Sequence, residues 1–366
     1  MRVICLCLSF GFFDYTIRLA NAISKATKVL LLLPNVDRIY VHIDTIDQNV
    51  EYYLFDMPRH IYSPTNLLSI NQIIKQIYKF KPDVVHLQAT TNLVCCGVLP
   101  FIKKYPIVTT FHDPHPHLGE EFFLSTFVLF CQRKLSDYIV VHGKKNKEIM
   151  INKYKLSDER ISAIQMGEIN VELFKKWETN SIKTGKNLIL FFGRIWKYKG
   201  LEYLIKAEPI ITKEVPDAKI IIAGTGEDFQ KYENMMTNRG NFIVHNYRIP
   251  YNEGAELFQR CSLVVLPYID ASQSGVISTA YGFKKPVVVT SVGSIPEIVD
   301  DGITGYIVPP KDVNALAEAI IKLLKDEKLR RQMGENAYIK LKTDLSWDNI
   351  AEKTIQVYKE VIRGKK

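Results

Sequence analysis

Apolar residues in this chain fall into short unbroken runs, separated by longer stretches where apolar positions recur with a helical period. In the first half the runs Arg2–Leu8, Lys28–Leu33, Val84–Leu87, Ile107–Phe111, Tyr138–Val141 and Ile161–Gln165 predict strands. In the second half Asn187–Phe192, Lys219–Ala223, Phe242–His245, Leu263–Leu266, Pro286–Thr290 and Gly305–Val308 do the same. Runs without polar alternation are covered on both faces, the condition of parallel strands flanked by helices. Doubly wound α/β sheets, about six strands each, are therefore expected. The polar interval "EINVELFKKWETNSIKTGKN", 168–187, reads as a linker between two domains.

Helix signals support the alternation. The segment Tyr15–Ser24 reads as a helix, and Ser278–Phe283 as a short one. In "SIPEIVDDG", Ser294 is expected as N-cap, with Pro296 in the first turn, Glu297 closing a capping box and Asp301-Gly302 stopping the helix. A helix beginning at Asp312 places Val313, Leu316, Ile320, Leu323 and Leu324 on one face, which reads as core.

Composition narrows the class. At 366 residues the chain exceeds one ordinary core, and 47% hydrophobic with 24% charged residues excludes a disordered or fibrous protein. The net charge of +9 is spread evenly: residues 1–180 hold 21 Lys+Arg against 17 Asp+Glu (+4), leaving 27 against 22 (+5). An even spread argues against a nucleic-acid arm and fits either anionic small molecules, an anionic membrane leaflet, or plain solubility. The cysteines Cys5, Cys7, Cys95, Cys96, Cys131 and Cys261 form no metal or disulfide framework by spacing, so a reducing cytoplasm is expected. The opening "MRVICLCLSFGFFDYTIRLA" lacks a small-residue cleavage site and passes into a helix, so it is expected not to be a signal peptide. No run reaches the roughly 18 apolar residues of a membrane span, so a protein in the cytoplasm, either free or peripheral at the inner membrane face, is the expectation.

Ligands of open α/β sheets bind beyond the carboxyl ends of the strands, near helix N-termini. Four segments meet that condition. In "FFGRIWKYKGLEYLI", Gly193 lets backbone approach a ligand, and Arg194 and Lys199 can neutralise two phosphates; a solvated basic turn is the alternative. In "IIIAGTGEDF", Gly224 and Gly226 follow a buried strand, but no third glycine completes a dinucleotide fingerprint, so a tight turn competes. In "LPYIDASQSGVISTAYGFKKPVVVT", Ser272, Gln273, Ser274 and Gly275 offer hydroxyls, an amide and unhindered N–H groups, a diphosphate cradle without formal charge. In "VTTFHDPHPHLGEEFF", His112, Asp113, His115, His117 and Glu120 follow a strand. Pro114 and Pro116 throw alternate side chains apart, so substrate recognition is preferred to a metal site there.

Taken in order, "GRIWKYKG", "AGTG" and "LPY…SQSG…KKPVVVT…G…PEIV…G…G", with "TFHD" in the first half, resemble the retaining glycosyltransferases of family 4. The resemblance covers nearly the whole chain. It implies the GT-B fold, two Rossmann-like domains facing across a cleft. It also implies that the terminal helix returns to the first domain, giving residues 1–178 plus 345–366 on the acceptor side and 179–344 as the donor-binding domain. By resemblance, Arg194 and Lys199 hold the donor diphosphate and stabilise the departing nucleotide, while His112 reaches the donor sugar. Gly193, Gly224, Gly226, Arg248, Ile249 and the loop residues through Val276 and Thr279 would contact the donor.

Two departures qualify the resemblance. Many members carry Glu-x7-Glu before "PVV"; here those positions are Ala271 and Thr279, and Asp270 is one residue out of register. This matches a subgroup with Ser-Gln-Ser-Gly-Val, so activity is still expected, with the ribose and sugar-hydroxyl contacts unassigned. Near the first strand, members often have Gly-Gly; here Gly11 stands alone, and Phe12, Phe13 and Tyr15 read as an apolar platform for a lipid-linked acceptor or simply as core, with Gly11, Phe12, Asp14 and Tyr15 expected on the acceptor side. The expected activity is metal-independent, retaining transfer of a hexose-type sugar from a nucleoside-diphosphate sugar, uridine diphosphate slightly ahead of guanosine diphosphate, to a saccharide or lipid-linked saccharide. The alternatives are an epimerase or hydrolase on this fold, or a non-catalytic nucleotide-sugar-binding subunit. No cofactor and no nucleic-acid partner are expected.

Overall fold

A computed structural model describes residues 1–9, 11–57, 66–114, 123–182 and 184–365. The chain divides into two compact units, one of Met1–Gly167 with Ser346–Lys366 and one of Glu168–Leu345.

The first unit holds strands β1 (Arg2–Leu6), β2 (Lys28–Asn35), β3 (Val50–Asp56), β4 (Val84–Gln88), β5 (Ile107–Phe111), β6 (Tyr138–Val141) and β7 (Ile161–Ala163). They form one parallel sheet in the order β3-β2-β1-β4-β5-β6-β7. Its helices are α1 (Phe13–Ser24), α2 (Tyr40–Ile43), α3 (Asn66–Phe80), α4 (Val94–Ile102), α5 (Phe123–Leu135) and α6 (Lys144–Asn152). Side chains alternate across the sheet: Ile4 and Leu6 of β1 join Ile73 and Ile77 of α3, Val98 and Leu99 of α4 and Val128 of α5 in one cluster. On this layer Cys96 and Cys131, unrelated by spacing, become neighbours because α4 packs on α5, and burial, then the Cys131 thiol, raises the Cys96 thiol to about 12.

The second unit begins with α7 (Val171–Lys175), then β8 (Leu188–Phe192), α8 (Leu201–Glu214), β9 (Lys219–Ala223), α9 (Gln230–Glu233), β10 (Phe242–His245) and α10 (Tyr251–Arg260). There follow β11 (Leu263–Leu266), α11 (Gly275–Gly282), β12 (Val287–Thr290), β13 (Gly305–Val308), α12 (Val313–Lys325) and α13 (Glu327–Lys342). Six parallel strands run β10-β9-β8-β11-β12-β13. Asp312 caps α12 through a 2.9 Å bond from the Ala315 amide, and Leu316, Ile320, Leu323 and Leu324 are buried as the periodicity requires. The last helix, α14 (Trp347–Gly364), packs on α1 in the first unit, with the Tyr358 hydroxyl 2.6 Å from His86 Nδ1.

The structure corrects four expectations. β3 is a seventh strand: as a sheet edge it pairs only with β2 and leaves Glu51 and Tyr52 exposed, so it never shows an unbroken apolar run. The second unit starts at Glu168 rather than 179, because Val171 and Phe174 at the head of the presumed linker are buried in its core; the return to the first unit comes at Ser346. β1 and β7 stop at Leu6 and Ala163, short of Leu8 and Gln165. Finally, Ser294 caps nothing and "IPE" is a single 3₁₀ turn. The Ser294 amide is taken by the Ser272 carbonyl at 3.1 Å, which leaves no donor for Glu297 to complete a capping box. Among the described residues, no helix is long and apolar enough to cross a membrane.

Candidate active site

In the second unit, the backbone beyond β8 and β9 stays paired after the strands end. Gly193 donates to the Ala223 carbonyl at 2.9 Å, and Ile195 bridges Gly226. This close crossing, rather than ligand approach, is what Gly224 and Gly226 are required for. A Cβ on Gly224 would sit 1.7 Å from the Gly193 carbonyl oxygen, at a φ of +151°. Gly224→Ala is expected to cost the second unit about 3 kcal/mol, read as a lower midpoint in urea unfolding; an unchanged midpoint would refute the crossing as the reason for glycine.

The chain then carries Arg194 and Lys199 to either side of two tyrosines. A guanidinium nitrogen of Arg194 donates to the Tyr198 hydroxyl at 2.7 Å. The Lys199 ammonium lies 3.7 Å from the centroid of the Tyr268 ring, a cation–π contact, and 5.0 Å from that of Tyr198. The Tyr268 hydroxyl in turn is 3.1 Å from Ser274 Oγ. Burial raises the Tyr268 phenol above its usual range, against the Ser274 hydrogen bond and the nearby Arg194 charge, so it stays neutral. Tyr198 is further fixed by the Ile269 amide, which donates to its carbonyl at 2.8 Å.

α11 starts at Gly275, three residues before the sequence pattern suggested, so Ser272–Ser274 lie at its N-terminus. Ser274 makes no side-chain cap, its hydroxyl facing Tyr268 instead. The Ile277 N–H donates to the Ser274 carbonyl at 3.3 Å, whereas those of Gly275 and Val276 have no intrahelical acceptor and carry the positive end of the helix dipole. Gly193 adjoins this turn, since a Cβ there would be 3.8 Å from Val276 Cγ2. The first and third segments thus converge, two cations beside an uncapped helix start. Among the polar atoms of this loop, Gln273 Oε1 and Ser294 Oγ are buried without a hydrogen-bond partner in the described residues.

Other predicted positions are accounted for differently. Thr279 is buried and turns its hydroxyl to the Gly275 carbonyl at 3.2 Å, satisfying itself inside the helix. Ala271 is buried against the turn at Gly293. Arg248 is exposed, and Ile249 packs on the core.

In the first unit, His112 stands one residue beyond β5 and is only 1% exposed. Its ring stacks on Phe12 at 3.6 Å and meets the edge of Tyr15 at 4.6 Å. His142, one residue beyond β6, fixes the tautomers. Its Nδ1 lies 3.0 Å from the Ile164 carbonyl, which can only accept, so Nδ1 carries the proton and Nε2 accepts. His112 Nδ1, 3.0 Å from that Nε2, is then the donor. His112 Nε2 is left without a proton facing Gln88 Oε1 at 2.8 Å, while Gln88 Nε2 is buried without a partner; turning that amide over, so that its nitrogen donates to His112 Nε2, satisfies both groups. Burial, then the neighbouring histidines, hold His112 far below the usual imidazole range, and burial pushes His142 down to about 4. These rings are neutral hydrogen-bonding groups at physiological pH.

Two acceptor-side expectations are corrected here. Tyr15 is core, wedged among His112, His142 and Trp347, and Asp14 is buried in a 3.4 Å ion pair with Arg18; both belong to the inward face of α1. Gly11 is exposed, and Phe12 and Asp113 are half-buried. His115, His117 and Glu120 lie outside the described residues. Sequence reasoning missed Tyr198, Tyr268, Gln88 and His142. The last two were findable as polar residues at the ends of apolar runs on neighbouring strands.

Comparison with known proteins agrees with this arrangement. The family description "Glycosyl transferases group 1" matches residues 174–340, and "Glycosyltransferase Family 4" matches residues 12–167. N-acetyl-alpha-D-glucosaminyl L-malate synthase of Bacillus anthracis is 26% identical over 348 residues, covering 90% of this chain and 86% of its own. The capsular polysaccharide biosynthesis glycosyltransferase CapM of Staphylococcus aureus is 23% identical, covering 85% of each. Among solved structures, Anabaena HepE in complex with UDP-glucose superposes with a TM-score of 0.75 at 16% identity, covering 98% of this chain and 100% of that one. With its two parallel-sheet units and these two matches spanning most of its length, the chain belongs to the family 4 glycosyltransferases of the GT-B fold.

Proposed function

We propose that the chain moves a hexose-type sugar from a nucleoside-diphosphate sugar to a saccharide or lipid-linked saccharide acceptor, with retention of anomeric configuration. The convergence of Arg194, Lys199 and the uncapped start of α11 carries this reading. Breaking the bond between the anomeric carbon and the phosphate oxygen leaves that oxygen more negative than in the ground state. Fixed cations and N–H dipoles there stabilise the transition state preferentially. In same-face transfer the departing oxygen is also the nearest base for the acceptor hydroxyl proton. These side chains supply the charge a metal would otherwise bring, so activity is expected to survive a chelator.

The carboxylates missing at Ala271 and Thr279 leave Gln273 Oε1 and Ser294 Oγ to take donor hydroxyl contacts. Uridine diphosphate is the favoured nucleotide, in line with the UDP-glucose bound in HepE. Conversion in the cytoplasm, as a step in polysaccharide or glycoconjugate synthesis, fits the relatives above.

The test is calorimetry against a panel of nucleotide sugars, followed by NMR of the product from the donor that binds. Binding of a nucleoside-diphosphate sugar and an α-linked product from an α-donor are expected, with Gln273→Ala weakening donor binding. An inverted product would overturn the retaining reading, and absence of any donor binding would overturn the whole.

A further inference from the structure

The outer surface of α3, α4 and α5 differs from the rest of the molecule. All four exposed phenylalanines among the described residues lie on it: Phe101 (56% exposed) at the end of α4, and Phe123 (89%), Phe127 (47%) and Phe130 (56%) on α5. The last three recur at i, i+4 and i+7, one stripe roughly 10 Å long. Leu67 and Leu68 at the start of α3 and Tyr78 near its end are exposed as well, and the Tyr78 hydroxyl donates to the Phe101 carbonyl at 2.8 Å. Scattered exposed apolar residues need no explanation, but a stripe of three phenylalanines along one helix of a layer that also exposes Tyr78 and Phe101 side by side does.

The charge of the same layer is one-sided. Residues 66–80, 94–104 and 123–135 contain Lys75, Lys79, Lys103, Lys104, Arg133 and Lys134 and no Asp or Glu. Arg133 is buried against the Tyr154 ring at 3.9 Å, and Lys103 is shared with Asp137 at 3.4 Å. Lys75, Lys79, Lys104 and Lys134 are exposed and form no ion pair within the described residues. The Lys104 ammonium rests 4.1 Å from the Tyr78 ring centroid, so cation and aromatic share one spot.

We propose that this face docks on a bilayer containing anionic lipid, its phenylalanines entering the headgroup boundary while the lysines meet lipid phosphates. The helices follow parallel strands and lie side by side, which presents apolar and cationic groups on one layer. A second copy fits poorly. A two-fold contact sets each patch against its own kind, and this one would oppose lysines to lysines with no acid on the three helices to match them. An anionic surface offers both the charge and the apolar depth. The proposal does not rest on sugar transfer.

Sedimentation of the full chain with phosphatidylcholine vesicles, with and without phosphatidylglycerol, tests it. Binding is expected only with phosphatidylglycerol, weakening as salt rises. Combined reversal at Lys75→Glu, Lys79→Glu, Lys104→Glu and Lys134→Glu should lower partitioning about fivefold per lysine. The variant Phe123→Ser, Phe127→Ser, Phe130→Ser should release the protein while its melting temperature and nucleotide-sugar binding by calorimetry stay unchanged. Either wild-type indifference to phosphatidylglycerol or vesicle binding unaltered in both folded variants would overturn it. So would a concentration-dependent dimer that the serine variant dissolves.

Discussion

Lys199→Ala lowers kcat/KM by about two to three orders of magnitude, and Arg194→Ala does the same, each losing about 2–4 kcal/mol of transition-state stabilisation. Lys199 is half-buried over Tyr268, so its position is set by the ring and not by solvent. Arg194 is exposed but anchored through Tyr198. A cation held before substrate arrives costs no reorganisation when charge develops on the leaving oxygen, and that is why its loss should appear in kcat. Lys199→Arg restores charge with a planar, longer head and should recover only part of the rate. Tyr268→Phe keeps the ring under the ammonium but frees Ser274, so a smaller loss is expected. Steady-state kinetics with saturating donor measure all four variants. Rates for Lys199→Ala and Arg194→Ala within about threefold of wild type would remove the catalytic role of the pair.

The first unit loses stability steeply below neutral pH. Burial pushes His86 down to about 3 and His142 to about 4, and holds His112 well below the usual range. In the unfolded chain these imidazoles titrate near their ordinary value of 6.5. The unfolded state therefore binds more protons between about pH 6.5 and pH 4, and unfolding is favoured as pH falls through that window. The stability contributed by the neutral rings is complete above pH 6.5. Each histidine contributes a slope of up to about 1.4 kcal/mol per pH unit within that window, so the first unit's urea midpoint falls as the pH drops through it. Seven of the eight histidines belong to the first unit, and the second has only His245. Trp347 is buried beside Tyr15 in the first unit, whereas Trp177 and Trp196 are exposed. A red shift of tryptophan emission on acidification should thus report the first unit opening, and His142→Gln should flatten its pH slope by about one proton. Urea midpoints that stay constant from pH 7 to about pH 5 would contradict this.

Where burial on both sides dictated the residues, the strands could be read directly, as with Val84–Gln88 and Lys219–Ala223. β3 escaped because an edge strand with one open side tolerates Glu51 and Tyr52. Arg194 and Lys199 were visible because charge at a helix mouth is unusual. Tyr198 and Tyr268 were not, because a buried aromatic that holds a cation has the same sequence signature as one that fills a core. Gly224 was legible as a turn, but only the crossing of two backbones reveals what it avoids. The failed cap at Ser294 has a similar origin: local propensity pointed to a helix start, and a distant carbonyl, that of Ser272, took the amide first.

The placement of α14 has a consequence for biogenesis. A ribosome releases residues 168–345 before it makes the helix that supplies Tyr358 and Trp347 to the first unit. Until then the nascent sheet of the first unit lacks the cover α14 gives to α1, and His86 waits for its phenol. The second unit, though later in sequence, can mature first, and the vectorial order of synthesis is inverted in the order of completion.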